Sequence, residues 1–170
     1  MLYILGGLPA TGKTEVSKYL AATLNAVYIR IDTIEQELRD QGVIDLYDEG
    51  YQIAFSLALD NLKNGMSVVA DSTNPVKESR DAWINVARQA QSSFTEIEVT
   101  CSDKQEHRQR VETRSTDIHN LLLPSWENVT SREYQKWLSQ HIILDTAGKT
   151  PEQSKNELIQ LLRHYVSTQK

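Results

Sequence analysis

The chain has 170 residues, 39% of them hydrophobic, with 18 Lys+Arg against 23 Asp+Glu and a net charge of −5. That length predicts one domain over 1–170 rather than two full domains, and a pI near 5.4 argues against extended nucleic-acid binding, which takes a basic surface. One cysteine, Cys101, excludes an internal disulfide framework and suits a reducing cytoplasm, and no run approaches the roughly 20 apolar residues of a membrane span.

Residues 2–5 form an apolar run that stops at Gly6-Gly7 and reads as a buried first strand. Residues 13–24 have helical spacing, with Val16, Leu20 and Leu24 on one face. Residues 26–31 are rich in β-branched and aromatic side chains and read as a second strand; Thr33 is placed to cap a short helix over 34–40 that Gly42 ends. A longer helix is expected over 47–62, with Ile53, Leu57 and Ala58 sharing a face and Asn64-Gly65 as its stop. Residues 67–70 form a third strand that ends on Asp71. Asn74-Pro75 reads as the cap and first residue of a helix to about 91, with Trp83, Val86 and Ala87 inward.

Residues 94–100 alternate as a fourth strand, and Ser102 or Asp103 caps a helix through Arg114. Residues 115–123 lack a clear period, Pro124-Ser125 opens a helix to about 137, and 141–144 is a fifth strand. Thr150-Pro151-Glu152-Gln153 then joins a cap, a proline at the first helical position and a capping-box partner before the last helix. Strands that alternate with helices predict an α/β, three-layer fold with a parallel sheet of five strands and ligands beyond the strands' carboxyl ends.

Gly7-Leu8-Pro9-Ala10-Thr11-Gly12-Lys13-Thr14 fits G-x-x-x-x-G-K-[ST] between a predicted strand and helix. Gly7 and Gly12 let the chain wrap with positive φ, so backbone N–H groups converge on an anion at a helix N-terminus. Lys13 pairs with β- and γ-phosphate oxygens in this reading, and the Thr14 hydroxyl takes one Mg²⁺ position. Asp71, after the apolar Val68-Val69-Ala70, holds Mg²⁺ directly or through water; the plainer alternative is a loop carboxylate that accepts backbone N–H groups.

Asp32 follows the second strand, at the same sheet edge. It is the candidate that orients an acceptor hydroxyl and accepts its proton, the alternative being a first-turn acid. Arg30, two residues earlier and on the same strand face, is a candidate for the acceptor's phosphate or base. Asn74 is a substrate candidate or a helix cap. Arg110 and Arg114 are four apart and expected on one helical face, closing over the phosphates; Arg108 is expected to pair with Glu112. His107 is expected at the surface, Trp126, Tyr134 and Trp137 to anchor the lid, and His119 and Arg132 have no assigned role.

These motifs resemble the P-loop kinase group that includes the kinase domain of phage polynucleotide kinase, chloramphenicol phosphotransferase, zeta-type toxins and adenylylsulfate kinases. The polynucleotide-kinase-like branch is the nearest local match. Its strand-two aspartate, which acts on the acceptor, corresponds to Asp32. Its third strand and next helix resemble Val68 through Pro75, Arg80 and Ala82-Trp83, and its lid pair R-x-x-x-R resembles Arg110 through Arg114. Leu123-Pro124-Ser125-Trp126 with Arg132-Glu133-Tyr134 is similar to a widespread set of small bacterial predicted kinases, usually described only as ATP-binding proteins.

The resemblance implies a P-loop kinase with ATP and Mg²⁺ as its nucleotide and metal. A small molecule or nucleotide would be the acceptor, bound by a helical region over about 33–65 under a lid over about 103–126. Within that helical region Tyr47, Asp48, Tyr51 and Gln52 are the specificity candidates. A polynucleotide 5′-hydroxyl kinase and an ATP-binding switch without a small-molecule acceptor are the alternatives.

Overall fold

A computed structural model describes residues 1–168. The apolar run at the start forms β1 (Leu2–Gly6), and the chain continues through α1 (Lys13–Leu24), β2 (Val27–Arg30), α2 (Ile31–Asp40), α3 (Glu49–Lys63) and β3 (Val68–Asp71). The second half runs through α4 (Lys77–Gln89), β4 (Phe94–Thr100), α5 (Lys104–Thr113), α6 (Trp126–Thr130), β5 (Ile142–Asp145) and α7 (Pro151–Thr168). The strands form a single sheet in the order β2-β3-β1-β4-β5, and every neighbouring pair is parallel.

Alternation along the central strands feeds two apolar layers. Leu2, Ile4, Val68 and Ala70 pack with Ala54, Ala58, Leu62, Trp83 and Val86 on the side of α3 and α4. Leu5, Val69, Ile97 and Val99 pack with Val16, Leu20, Leu158 and Leu162 on the side of α1 and α7. A strand buried on both faces reads as a continuous apolar run, which is why β1 and β3 were legible as strands. Residues Leu5 and Arg30 both stand opposite Asp71 in the registers of β1 and β2 with β3. The phosphate-loop segment, Asp71 and Arg30 are thereby brought to one edge of the sheet.

Five expectations are corrected. In α3 the buried residues are Gly50, Ala54, Ala58 and Leu62, while Ile53 and Leu57 are exposed. The alanine face lets the helix approach the sheet closely, and Leu24 of α1 likewise stands outside. Asn74 is not a helix cap: it takes a positive φ of 47° and its amide donates to the Leu5 carbonyl, so α4 starts after an extended Val76. The helix expected from 125 to 137 stops at Thr130, because the chain beyond is drawn onto α4, where Gln135 donates to the Pro75 carbonyl and Arg80 donates to the carbonyls of Gln135 and Lys136. Helix α2 begins at Ile31, with Arg30 as its N-cap and no side-chain cap from Thr33. The capping boxes at Ser125–Asn128 and Thr150–Gln153 are formed.

Candidate active site

The loop from Gly7 to Gly12 carries three positive-φ residues, Gly7 at 145°, Ala10 at 67° and Gly12 at 92°. Gly7 is required twice over, by its φ of 145° and because a Cβ there would lie 2.2 Å from the Val99 carbonyl oxygen; its N–H donates to the Thr73 carbonyl. The loop is braced from behind. Thr11 Oγ1 donates to the Leu8 carbonyl at 3.0 Å, and the Thr146 hydroxyl, just past β5, stands 2.8 Å from the Thr11 carbonyl.

Beyond the loop, α1 opens on Lys13 and Thr14. Thr14 Oγ1 donates to Asp71 Oδ2 at 2.9 Å, and the Tyr28 hydroxyl donates to the same oxygen at 2.7 Å. Lys13 Nζ stands 3.7 Å from Asp71 Oδ1, and both residues are buried. Burial, then the Asp71 carboxylate, push the Tyr28 phenol far above its usual pKa, so it remains a donor. The alternative in which Asp71 accepts loop N–H groups is not what forms. A carboxylate and a threonine hydroxyl at the start of a helix are the hard oxygen donors that Mg²⁺ takes. Among the described residues no group of three or more His, Cys, Asp or Glu forms a metal cage. A metal here would depend on phosphate oxygens and water for its remaining ligands, as Mg²⁺ sites do.

A cleft of about 1110 Å³ opens in front of this cluster. Lys13, Thr14, Arg30, Asp32, Tyr51, Arg114 and Arg132 line it, as do the residues just before and after Asn74. Asp32 is exposed in the first turn of α2. Asn74 is fully buried behind the wall, with its amide on Leu5, so its place is in the scaffold and the substrate assignment is corrected. Of the other specificity candidates only Tyr51 reaches the cleft; burial pushes its phenol up to about 12. Tyr47 is exposed, and Gln52 donates to Asp48 on the outer surface of α3.

The two arginines expected to close over the phosphates separate. Arg110 is held: Nη1 donates to Thr146 Oγ1 at 2.8 Å, and Nη2 donates to Glu106 Oε1 at 2.6 Å and to the Thr146 carbonyl at 2.9 Å. Arg114 is the C-cap of α5 with extended backbone, φ −70° and ψ 151°, so four-residue helical spacing no longer aligns it with Arg110. It lines both the main cleft and a smaller one of about 510 Å³ that Arg110 and Thr146 share. Its Nε is buried without a partner, and burial lowers its pKa, an effect that the Asp32 charge opposes. Arg108 pairs with Glu112 at 2.7 Å as expected.

Sequence reasoning missed the buried place of His107 and the parts played by Tyr28, Lys18 and Asp117, while Tyr134 and Trp137 were named as anchors. His107 is buried rather than exposed; its Nε2 lies 2.8 Å from the Pro9 carbonyl, to which it donates, and its ring meets Trp126 edge-on at 5.3 Å. Trp137 lies under the guanidinium of Arg80 at 4.9 Å and donates to the Tyr134 hydroxyl, which donates in turn to Glu98. Lys18 and Asp117 line the cleft as well. Tyr28 had a signal in the sequence, being two residues before Arg30 and therefore on the same strand face; Asp117 had none. His119 is exposed.

A family model described as an AAA domain matches residues 2–141. The chain belongs to this AAA-domain family. No curated protein matches it. Among solved structures, a provisionally assigned kinase from Chloroflexus aurantiacus superposes with a TM-score of 0.70 at 21% identity, over 98% of this chain and 96% of that one. The APS kinase CysC of Mycobacterium tuberculosis, solved with AMPPNP and APS, gives 0.69 at 18% identity over 95% and 96%. A gluconokinase from Sinorhizobium meliloti gives 0.66 at 14% over 98% and 93%. At these identities the likeness establishes the fold, which is that of P-loop kinases. Among the described residues no helix is long and apolar enough to cross a membrane.

Proposed function

We propose that this AAA-domain protein is an ATP-dependent kinase that moves the γ-phosphoryl group of ATP to a hydroxyl of a small molecule or nucleotide. The observation that carries the reading is the cluster of Lys13, Thr14 and Asp71 at the mouth of a Gly7-to-Gly12 loop, with Asp32 and Arg114 lining the same cleft. Loop N–H groups and Lys13 hold the β- and γ-phosphate oxygens. Thr14 and Asp71 are the residues that would hold Mg²⁺, whose charge offsets that of the phosphates when it is bound. Asp32 orients the acceptor hydroxyl and takes its proton as the new O–P bond forms and the bond to the ADP oxygen breaks. Arg114, with donors to spare, closes on the transferring group, and Arg110 holds the lid to the Thr146 turn. The reading places a substrate region over about 33–65 and a lid over about 103–126 in one domain, in the reducing cytoplasm that a lone Cys101 suits.

The test is transfer of label from γ-labelled ATP to a panel of nucleosides, nucleotides, sugars, sugar phosphates, aminoglycoside-type antibiotics and 5′-hydroxyl oligonucleotides. Label on a small acceptor supports the proposal. Label only on oligonucleotides makes the protein a polynucleotide kinase, and slow release of free phosphate alone makes it a switch.

A further inference from the structure

The nucleotide cradle uses Lys13, Thr14 and Asp71, and the proposed proton acceptor is Asp32. Four further cations that line the cleft, Lys18, Arg30, Arg39 and Arg132, have no task in that account, and two of them, Lys18 and Arg30, share a partner. Lys18 stands one helical turn beyond Thr14 on α1, hence on the same face. Arg30 ends β2 beside Asp71, two residues before Asp32. One carboxylate joins them: Asp117, from the irregular segment after α5, accepts from Lys18 Nζ at 2.5 Å and from Arg30 Nη1 at 2.7 Å.

The partners differ in how firmly they are fixed. The Arg30 side chain is 11% exposed and belongs to the scaffold, whereas Asp117 is 56% exposed on a segment without secondary structure. Arg30 Nε is buried with no hydrogen-bond partner, and so is Arg114 Nε in the same cleft. Lys18 and then Arg30 hold the Asp117 carboxyl well below the usual carboxylate range. Asp117 is therefore an anion wherever the protein works. An arginine fork donates to carboxylate, phosphate or sulfate oxygens alike. A single exposed carboxylate leaves donors of two guanidinium groups unused, and an exposed ion pair contributes little that would keep it in place.

We propose that Lys18 and Arg30 form an oxyanion subsite for the phosphoryl acceptor, and that Asp117 is its intramolecular occupant, displaced by an acceptor that carries a phosphate, sulfate or carboxylate group. The inference rests on the kinase reading of the cleft. It narrows the acceptor from any hydroxyl compound to an anionic one, whose charged group sits on Arg30 while its hydroxyl meets Asp32. It also couples acceptor binding to release of the segment that follows Arg114.

Inorganic phosphate is the probe, with the full chain kept saturated with AMPPNP and Mg²⁺ so that the phosphate loop is filled. Equilibrium dialysis with labelled phosphate is expected to find one further site. Asp117→Asn is expected to tighten it about fivefold, by removing the competing carboxylate. Arg30→Gln is expected to weaken it at least tenfold and the exposed Lys18→Gln several-fold, with AMPPNP affinity in each variant within twofold of the parent. Phosphate binding that Asp117→Asn leaves unchanged or weakens overturns the proposal, as does binding that ignores both Lys18→Gln and Arg30→Gln, or the lack of phosphate binding by both the parent and Asp117→Asn. Failure of the kinase reading has a separate signature: AMPPNP affinity that does not respond to Lys13→Ala removes the nucleotide site, and the acceptor proposal with it.

Discussion

Thr14 Oγ1 donates to Asp71 Oδ2 across 2.9 Å, joining the first turn of α1 to the end of β3. Two residues 57 apart in the chain thereby present a hydroxyl and a carboxylate side by side at the start of a helix. The Tyr28 hydroxyl at 2.7 Å fixes the same carboxylate oxygen from the opposite strand neighbour. Asp71→Asn removes the negative charge while keeping the shape. The expected result is a loss of about a hundredfold in turnover with ATP and Mg²⁺. Steady-state rates across a Mg²⁺ titration check it, and an unchanged rate with an unchanged Mg²⁺ dependence contradicts it.

Tyr28→Phe tests the support rather than the cluster itself. It removes one hydrogen bond to a buried carboxylate, which costs about 1–3 kcal/mol of stability. Urea unfolding should show a lower midpoint at constant slope. A midpoint equal to that of the parent would mean the phenol does not hold Asp71 in solution.

Arg110 and Arg114 should fail in different ways. Arg110 makes three hydrogen bonds, two that tie α5 to Thr146 and one within the helix to Glu106, so Arg110→Ala should lower Tm by several degrees. Arg114 has an unpartnered buried Nε, so Arg114→Ala should leave Tm within about one degree of the parent and lower kcat about a hundredfold or more. Thermal scans beside kcat for both variants check this, and a reversed pattern would exchange the roles assigned to the two residues.

Gly7→Ala should disable the loop outright. The added methyl would meet the Val99 backbone oxygen at 2.2 Å, with φ at 145°. A backbone oxygen of a central strand has no room to yield, so the cost is about 3 kcal/mol or more, with loss of AMPPNP binding. Calorimetric titration together with a thermal scan checks it. Normal stability and normal binding would contradict the loop geometry.

The parts of the site that follow from local rules were legible in the sequence. The phosphate loop, the acid after an apolar strand and the caps at Asp103 and Thr150 each depend on a few adjacent residues, and each sits where expected. The errors share a cause, which is tertiary contact that overrides a local preference. Asn74 is a good cap by type, but the Leu5 carbonyl claims its amide. Arg114 follows a helical spacing, but the helix ends one residue before it. Ile53 and Leu57 satisfy a helical period as well as Ala54 and Ala58 do, and close approach of α3 to the sheet selects the smaller pair. Asp117 reaches partners 87 and 99 residues away from a segment with no period, so nothing near it in the chain announces them.

The central claim is that the cleft joins a nucleotide cradle to an acceptor oriented by Asp32. Transfer of labelled γ-phosphate by the parent and by Asp32→Asn, with AMPPNP affinity measured alongside, tests it most directly. The account predicts label on an acceptor with the parent, transfer reduced at least a hundredfold in Asp32→Asn, and AMPPNP affinity within twofold. Transfer by Asp32→Asn at the parent rate, or release of free phosphate alone by the parent, would contradict it.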